Sequence, residues 1–489
     1  MGESTKAAIA LNKWVGGLKI LVGLIIFLII LFIEPFGLNP LANKVIGVAF
    51  LMIFWWISEA IPMPVVALLP LILFPLLGIS SISETAAPYS NEVIFLFMGG
   101  FLIGLGIEKW GLHKRIALNI VSFTGTSGNK IILGFIFSTG FISMWLSNTA
   151  TTMMMYPIAA SVIAVVYEMN ELEQSKKHFA LAMMLSIAYA SNFGGIATII
   201  GTPPNVAYIS FISKKYHYDI SFFDWMFVAM PVAIMLLIFL FFVLILLYPN
   251  RMKKSNVFEA MISNELNSIG PMSKPEKRVM IIFLITAVLW ITRDLINRLN
   301  IVKLDDNMIA VFGAVCMFIM PSGKDKKPGQ RILEWSDTHK MAWGILLLFG
   351  GGITLAGALE KSGVIKLIGG ILSGSQHQSI LLLIVLVTVL SIFISEVMSN
   401  VAQVIVFAPL VTGISEVMGI NPFLLGIPMT LAASCASMLQ MGTPPNAIVF
   451  SSGHIKIKDM IKAGFVMNLI SILLIILASY YLVPMVMHL

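Results

Sequence analysis

Hydrophobic positions along this chain neither alternate nor keep to one helical face; they run together in stretches broken by short polar segments. The runs occupy residues 18–32, 45–57, 65–77, 93–107, 131–146, 226–248, 279–291, 345–359, 380–394 and 465–483. A segment that is apolar all round must be buried on every side, in protein or in lipid, so such runs in series predict helices that cross a bilayer. Several fall short of the roughly 20 residues that span hydrocarbon and are expected as half-helices or hairpin arms. The first run follows Lys6 and Lys13 and has no small-residue cleavage site behind it, which predicts a retained membrane helix and not a signal peptide.

The polar interruptions inside the runs are more informative. Gly-Thr-Pro-Pro-Asn stands at 201–205 and again at 442–446. Adjacent prolines remove two backbone donors and stop a helix, so each pentad predicts an unwound break, tolerated at membrane depth only where protein or water covers it. Between residues 130 and 168 the apolar pattern is interrupted at Ser147-Asn148-Thr149-Ala150-Thr151-Thr152 and then resumes. This predicts a re-entrant hairpin with a polar tip inside the membrane. Residues 391–415 repeat the pattern, with Ser395, Glu396, Ser399, Asn400 and Gln403 about the tip. Each tip is expected to face a pentad.

The two halves can be superposed as text. Residues 98–111 parallel 350–363, with Glu108-Lys109 opposite Glu360-Lys361; at the same offset Ser147-Asn148 falls on Ser399-Asn400 and Pro157 on Pro409. Three landmarks at one offset identify an internal repeat. A duplicated helix break in a hydrophobic chain points to the binding site of a secondary transporter.

Composition and charge decide class and orientation. At 58% hydrophobic, 11% charged and mean hydropathy +0.94, the 489-residue chain is not a soluble globular protein. Its formal charge of +7 is arranged by side. With a cytoplasmic N-terminus, the inner segments collect Lys109, Lys114, Arg115, Lys130, Lys176, Lys177, Arg251, Lys253, Lys254, Lys277, Arg278 and the cluster Lys324, Lys326, Lys327 and Arg331. The outer segments hold fewer, among them Lys44, Lys214, Lys215 and Arg293. No nucleic-acid partner is needed to explain the charge. Glu108-Lys109 then lies at the cytoplasmic end of its helix, while Glu360-Lys361, one crossing beyond the basic cluster, lies at the external end. The repeats are therefore expected to be inverted.

Ser, Thr and Asn in these motifs can donate to a carboxylate, and their oxygens can ligate a hard cation, which suits an anion accompanied by sodium. No Lys or Arg lies in the four motifs, so an anion there needs helix ends or a co-bound metal ion as counter-charge. Plainer readings exist for each element taken alone: prolines as tolerated kinks, Ser and Thr bonding their own helix, and the Gly pairs at Gly99, Gly194, Gly351 and Gly369 allowing close helix packing. The joint recurrence of tip and pentad favours function. Glu396, where the first half has Met144, reads either as a proton or cation partner or as a structural acid orienting the hairpin. Cys316 and Cys435 lie in apolar stretches and predict neither disulfide nor metal site, and the histidines sit near predicted loops.

The segment Phe141-Ile-Ser-Met-Trp-Leu-Ser-Asn-Thr-Ala-Thr-Thr152, with the pentad after it and both repeated, resembles the divalent anion:sodium symporter family over nearly the whole chain. The resemblance implies an all-α polytopic membrane protein with about eleven transmembrane helices and two re-entrant hairpins in two inverted repeats, a dicarboxylate carrier working as an elevator-type homodimer. It divides the chain into residues 1–129, mainly scaffold; 130–248, first hairpin, broken helix and following helix; 249–277, a cytoplasmic linker; 278–377, second-repeat scaffold; and 378–489, second hairpin, broken helix and last helix. The second and last segments form the moving transport body.

By the same resemblance Ser147, Asn148, Thr149, Ser399, Asn400 and Val401 are the tip positions that face the substrate carboxylates. Thr202, Pro203, Thr443 and Pro444 complete the pocket. One sodium site is implied at Ser143, Ser147, Asn148 and Gly201, and a second at Ser395, Ser399, Asn400 and Gly442; sodium is the implied coupling ion and no other cofactor is expected. The chain departs from the family pattern at Val401 (threonine expected), Gln403 and Gln440 (proline expected). The expected function is alternating-access transport of four- or five-carbon dicarboxylates such as succinate, malate, fumarate or 2-oxoglutarate, leaning to exchange, in a bacterial cell membrane. The alternatives are sodium-coupled symport of dicarboxylate, citrate or sulfate and, from another class, an anion channel, for which charged pore rings are missing, or a membrane enzyme, for which no nucleophile or metal cluster stands out.

Overall fold

The computed structural model describes residues 3–34, 38–169, 172–250, 252, 256–300, 302–323, 329–364 and 379–487. Apart from an antiparallel bridge between Pro321 and Arg331, regular structure among them is helical. The chain opens with α1 (Glu3–Ile33) and α2 (Pro40–Ser58), followed by the short α3 (Met63–Val66), α4 (Leu69–Leu76) and α5 (Ile82–Ala86). Next come α6 (Glu92–Lys109) and α7 (Leu112–Thr124), then the first hairpin, α8 (Gly128–Ser143) and α9 (Asn148–Glu168). A broken helix follows, α10 (Glu173–Gly195) and α11 (Pro203–Tyr216), then α12 (Phe222–Leu247). After α13 (Asn256–Ile269) the order recurs: α14 (Lys274–Arg298), α15 (Asp306–Ile319), α16 (Trp343–Lys361), a hairpin of α17 (Ile380–Ser395) and α18 (Asn400–Val417), a broken helix of α19 (Phe423–Ala433) and α20 (Pro444–Phe450), and finally α21 (Ile457–Tyr481) and α22 (Val483–Val486).

Taking α3 with α4, α10 with α11 and α19 with α20 as single crossings, the described residues supply α1, α2, α3–α4, α6, α10–α11, α12, α14, α15, α16, α19–α20 and α21 besides the hairpins. That is the all-α polytopic membrane architecture expected. Faces of α12 and α14 present Phe242, Leu246, Ile281, Leu284, Ile285 and Val288 to the exterior, as a lipid-facing surface requires. Two boundaries differ from the sequence reading. The run at 380–394 is the first arm of the second hairpin, so the pattern read at 391–415 covers only the tip and second arm, while the segment boundary at 378 lies just before that first arm. The hydrophilic stretch 249–277 holds α13 and the start of α14, with Glu265 of α13 ion-paired to Lys114 of α7 at 3.0 Å. Gly369, Arg251, Lys253, Lys254, Lys324, Lys326 and Lys327 lie outside the described residues.

Close crossings use the paired glycines. A Cβ on Gly99 of α6 would overlap the backbone of Ala310 on α15, and one on Gly351 of α16 would overlap the backbone of Ala67 beside α3. Each repeat therefore lodges the same glycine of its own helix against the other repeat's short-residue helix. A third overlap falls between Gly194 of α10 and the backbone of Gly140 of α8. Van der Waals approach of this kind is a main source of cohesion where lipid removes the hydrophobic drive. Gly351→Val should abolish monodisperse protein in detergent size-exclusion chromatography, since the clash is with backbone that cannot rotate away, whereas Gly357→Ala, on the same helix with only the Lys214 ammonium at 3.8 Å from the added Cβ, should cost little yield.

At the centre lies α10 with its break: every residue from 179 to 202 is buried. The hairpin α8–α9 and helices α12 and α20 pack around it. The second break is covered in the same way by α17, α18 and α21.

Candidate functional site

Each hairpin tip is built around the start of a helix. The turn Met144-Trp145-Leu146 brings Ser147 to the N-cap of α9, where its Oγ accepts from the Ala150 N–H at 3.3 Å. Asn148 begins the helix, and its Oδ1 lies 2.9 Å from Ser143 Oγ, which is also 2.7 Å from the Ser191 carbonyl of α10. One hydroxyl proton serves one acceptor at a time, so three oxygens converge here with lone pairs to spare. The second tip repeats the oxygen cluster but not the side-chain cap: Ser399 stands at the N-cap position of α18 without a capping bond from its hydroxyl, and Ser395 Oγ lies 2.6 Å from Asn400 Oδ1 and 2.5 Å from the Ala433 carbonyl of α19.

The asparagine that closes each pentad holds its break in shape. Asn205 Nδ2 donates to the carbonyls of Ile196 (3.3 Å) and Thr198 (2.8 Å), and Asn446 Nδ2 to those of Ala436 (3.4 Å) and Leu439 (3.1 Å). Carbonyls that no helix can pair are thus satisfied from within, as buried backbone must be. Each break is also tied to its hairpin, by different chemistry. In the first, Thr198 Oγ1 donates to the Met144 carbonyl at 2.5 Å and accepts from the Gly201 N–H at 3.1 Å. In the second, the Glu396 carboxylate takes the N–H groups of Ser437, Met438 and Leu439, all at 2.9 Å, and the amide of Asn468 at 2.7 Å. Glu396 is 3% exposed, with three donors on Oε1 and one on Oε2. Of its two readings, the acid that orients the hairpin is the one this geometry bears out.

Between the tips and pentads lies a cavity of about 950 Å³. Ser147, Asn148, Thr149, Thr202, Pro203, Ser399, Asn400, Val401, Thr443 and Pro444 all line it. Ser143, Gly201 and Ser395 stand buried behind its wall, and Gly442 is at its surface. The N-termini of α9, α11 and α18 begin at the wall, presenting positive dipole ends to it. At one end the cavity is flanked by Lys19, Glu59 and Ala342, with Lys19 Nζ donating to the Ser58 carbonyl at 2.7 Å. On the opposite face Lys215, at the end of α11, bridges Glu360 of α16 (3.2 Å) and Glu416 of α18 (3.0 Å), and Tyr216 donates to Glu416 at 2.6 Å. The cavity mouth therefore lies where α2 ends and α16 begins, while the far ends of α11, α16 and α18 are tied together.

Of the three departures noted in the sequence, Val401 and Gln440 line the cavity and Gln403 does not. Gln403 is fully buried inside its hairpin, donating to the Ser391 carbonyl (2.8 Å) and Oγ (2.6 Å). Its placement at the tip is thus corrected: one helical turn past the N-cap Ser399, it faces the partner arm and not the cavity.

Both oxygen clusters suit a small hard cation. Neutral hydroxyl, amide and carbonyl oxygens converge, the backbone around Gly201 is crowded by the Gly195 and Ser143 carbonyls, and Gly442 lies beside Glu396 and the Leu439 carbonyl. No group of three or more His, Cys, Asp or Glu among the described residues could hold a transition metal. Sequence reasoning missed Asn192 and Asn468, and gave no separate role to Asn205 and Asn446 of the pentads; all four are buried amides that brace the site. A buried Asn in an apolar helix was the available signal for Asn192 and Asn468; Lys19 and Trp56 reach the cavity from distant sequence and had none.

Comparison with known proteins gives one family. The sodium:sulfate symporter transmembrane region matches residues 13–489. A sodium-dependent dicarboxylate transporter, SdcS, of Staphylococcus saprophyticus is 38% identical over 481 residues, covering 96% of this chain and 92% of that protein. SdcS of Staphylococcus aureus USA300 is 38% identical over 475 residues, with 96% and 91% covered. Among solved structures, the YdaH transporter of Alcanivorax borkumensis has TM-score 0.54 at 14% identity, covering 84% of this chain and 88% of that one. MtrF of Neisseria gonorrhoeae has TM-score 0.52 at 10% identity, covering 83% of each chain. At these identities the structures speak for the fold alone.

Proposed function

This chain belongs to the sodium:sulfate symporter family, and from that premise we propose that it is a sodium-coupled carrier of four- and five-carbon dicarboxylates, a transporter and not an enzyme. The observation that carries the reading is the pair of like clamps, tip and pentad, facing one cavity from the two repeats. A dicarboxylate has two anionic ends a few ångströms apart, and each clamp offers hydroxyl and amide donors to one. Ser147, Asn148 and Thr149 with Thr202 would take one carboxylate; Ser399 and Asn400 with Thr443 the other, Val401 adding only apolar contact. Sodium, when bound, supplies the positive charge that the motifs lack. Ser143, Ser147, Asn148 and Gly201 would hold one ion and Ser395, Ser399, Asn400 and Gly442 a second. Anion and cation then bind as neutral company, which lowers the cost of carrying either through a low-dielectric interior.

Transport follows by a slide of the body bearing both clamps against the scaffold of α2, α6, α14, α15 and α16. With the N-terminus cytoplasmic, in a bacterial cell membrane, the cavity mouth faces the cytoplasm and the Lys215 bridge closes the external side; that bridge parts in the opposite state. A homodimer held through the scaffold would keep the fixed part still.

The sequence leaned towards exchange because of the altered second clamp. Two findings now favour sodium coupling: the second oxygen cluster repeats the first, and Gln403 is turned away from it. Uptake of labelled succinate into proteoliposomes containing no dicarboxylate should require an inward sodium gradient and fail with potassium. Uptake that needs internal dicarboxylate and ignores sodium would overturn symport. Citrate and sulfate as competitors should inhibit less than malate or fumarate.

A further inference from the structure

The two clamps share an unexpected direct connection. Asn192, on the last turn of α10 and fully buried, points its side chain between them. Its Oδ1 accepts from Asn148 Nδ2 of the first tip at 3.5 Å, and its Nδ2 faces Thr443 Oγ1 at 3.0 Å and Asn446 Oδ1 at 3.4 Å in the second pentad. Both of those groups are structural in their own clamp: Thr443 Oγ1 caps α20 by accepting from the Asn446 N–H at 3.3 Å, and Asn446 braces the second break. Counting from the first oxygen cluster, the chain of side chains runs Ser143, Asn148, Asn192, Thr443 and Asn446. It passes from the first oxygen cluster to the second pentad through hydrogen bonds alone.

The symmetric position lacks such a bridge. Ser191 and Ala433 are equivalent, since their carbonyls face Ser143 and Ser395, so Asn192 corresponds to Ser434. The Ser434 hydroxyl is buried and finds no partner among the described residues. Among the described residues Asn400 hydrogen-bonds Ser395 of its own hairpin. The link is therefore one-sided, from the first tip to the second pentad.

We propose that Asn192 is a positioning residue that couples the two clamps, so that a cation at the first tip and a carboxylate at the second pentad are bound interdependently. The amide is planar and bonded at both ends, so rotating it to suit Asn148 carries its donors away from, or towards, Thr443. A cation that draws Asn148 Oδ1 towards Ser143 reorients the amide of Asn148, and Asn192 passes that reorientation on. Asn192 stands at the cavity wall with no exposed surface of its own, so releasing either end leaves a buried polar group without its partner, which favours two discrete arrangements. The cation half of this inference rests on the sodium-coupled reading above.

Two measurements test it on Asn192→Ala and the milder Asn192→Ser, both checked for insertion and monodispersity. In the first, the KM for succinate uptake is measured at limiting and saturating sodium. In the natural chain sodium should lower KM; in the Asn192 variants that ratio should fall towards one, an effect a merely destabilising change would not produce. In the second, Ser143→Ala and Thr443→Val are combined at saturating sodium or, if sodium has no effect, without it. Their effects on KM should be non-additive by about threefold or more with Asn192 present and multiply independently without it. A natural chain whose KM ignores sodium overturns the sodium reading only, and the second measurement still judges Asn192. Non-additivity that survives in both Asn192 variants, or an unchanged sodium ratio, overturns the proposal.

Discussion

Asn148→Ala and Asn400→Ala should each abolish measurable dicarboxylate uptake by protein that inserts and purifies normally. Each amide does two things at once: its oxygen sits with a serine hydroxyl and a helix carbonyl in an oxygen cluster, and its nitrogen is available to the cavity. Loss of a hydrogen bond to a charged group costs about 1.5–3 kcal/mol, roughly ten- to a hundred-fold in affinity, before the cation's lost ligand is counted. The two sites should differ in severity. Asn148 also supports Asn192, so its removal disturbs the second pentad, whereas removal of Asn400 stays local. Uptake at varied succinate and sodium reads both effects; retention of transport by both variants would show that the tips are not the binding elements.

The largest effect on stability is expected at Glu396. Alanine there leaves the N–H groups of Met438 and Leu439 and the Asn468 amide without their carboxylate acceptor, while the Ser437 N–H keeps Asn468 Oδ1 at 3.2 Å. At about 1–3 kcal/mol for each orphaned group, the loss is on the order of several kcal/mol, a large share of any protein's margin. Glu396→Gln keeps the volume and one acceptor oxygen but turns an NH₂ towards N–H donors. It should therefore unfold at a lower temperature than the natural chain, though above Glu396→Ala, in detergent thermal-shift measurements. A carboxyl that carried a proton through the cycle would behave otherwise, because glutamine mimics its protonated form. Glu396→Gln with natural stability and a flattened pH profile of uptake would reinstate the proton-carrying role.

Much of this site was legible in one dimension, for identifiable reasons. Pro-Pro cannot continue a helix, so the breaks at 203–204 and 444–445 could be read without coordinates. Ser-Asn inside an apolar run must either cap a helix or find a polar surface; the first tip does both, and the second finds the cavity. Gly99 and Gly351 could be read as packing positions, but their partners Ala310 and Ala67 could not, because a small residue in sequence does not say which helix it meets. Gln403 was misplaced for a related reason. Near an N-cap, a shift of a single residue turns a side chain through roughly 100°, enough to exchange cavity for hairpin interior.

What the sequence by itself determined is whatever depends on local covalent chemistry and on hydropathy: the membrane class, the hairpin tips, the breaks and their duplication. Tertiary structure alone decided what depends on groups 41 to 251 residues apart. It gave Glu396 to the N–H groups of 437–439, brought Lys215 between Glu360 and Glu416, and set Asn192 between Asn148 and Thr443. The reason is physical. A broken helix advertises its unpaired backbone in its own sequence, but the groups that satisfy that backbone arrive from wherever packing happens to bring them.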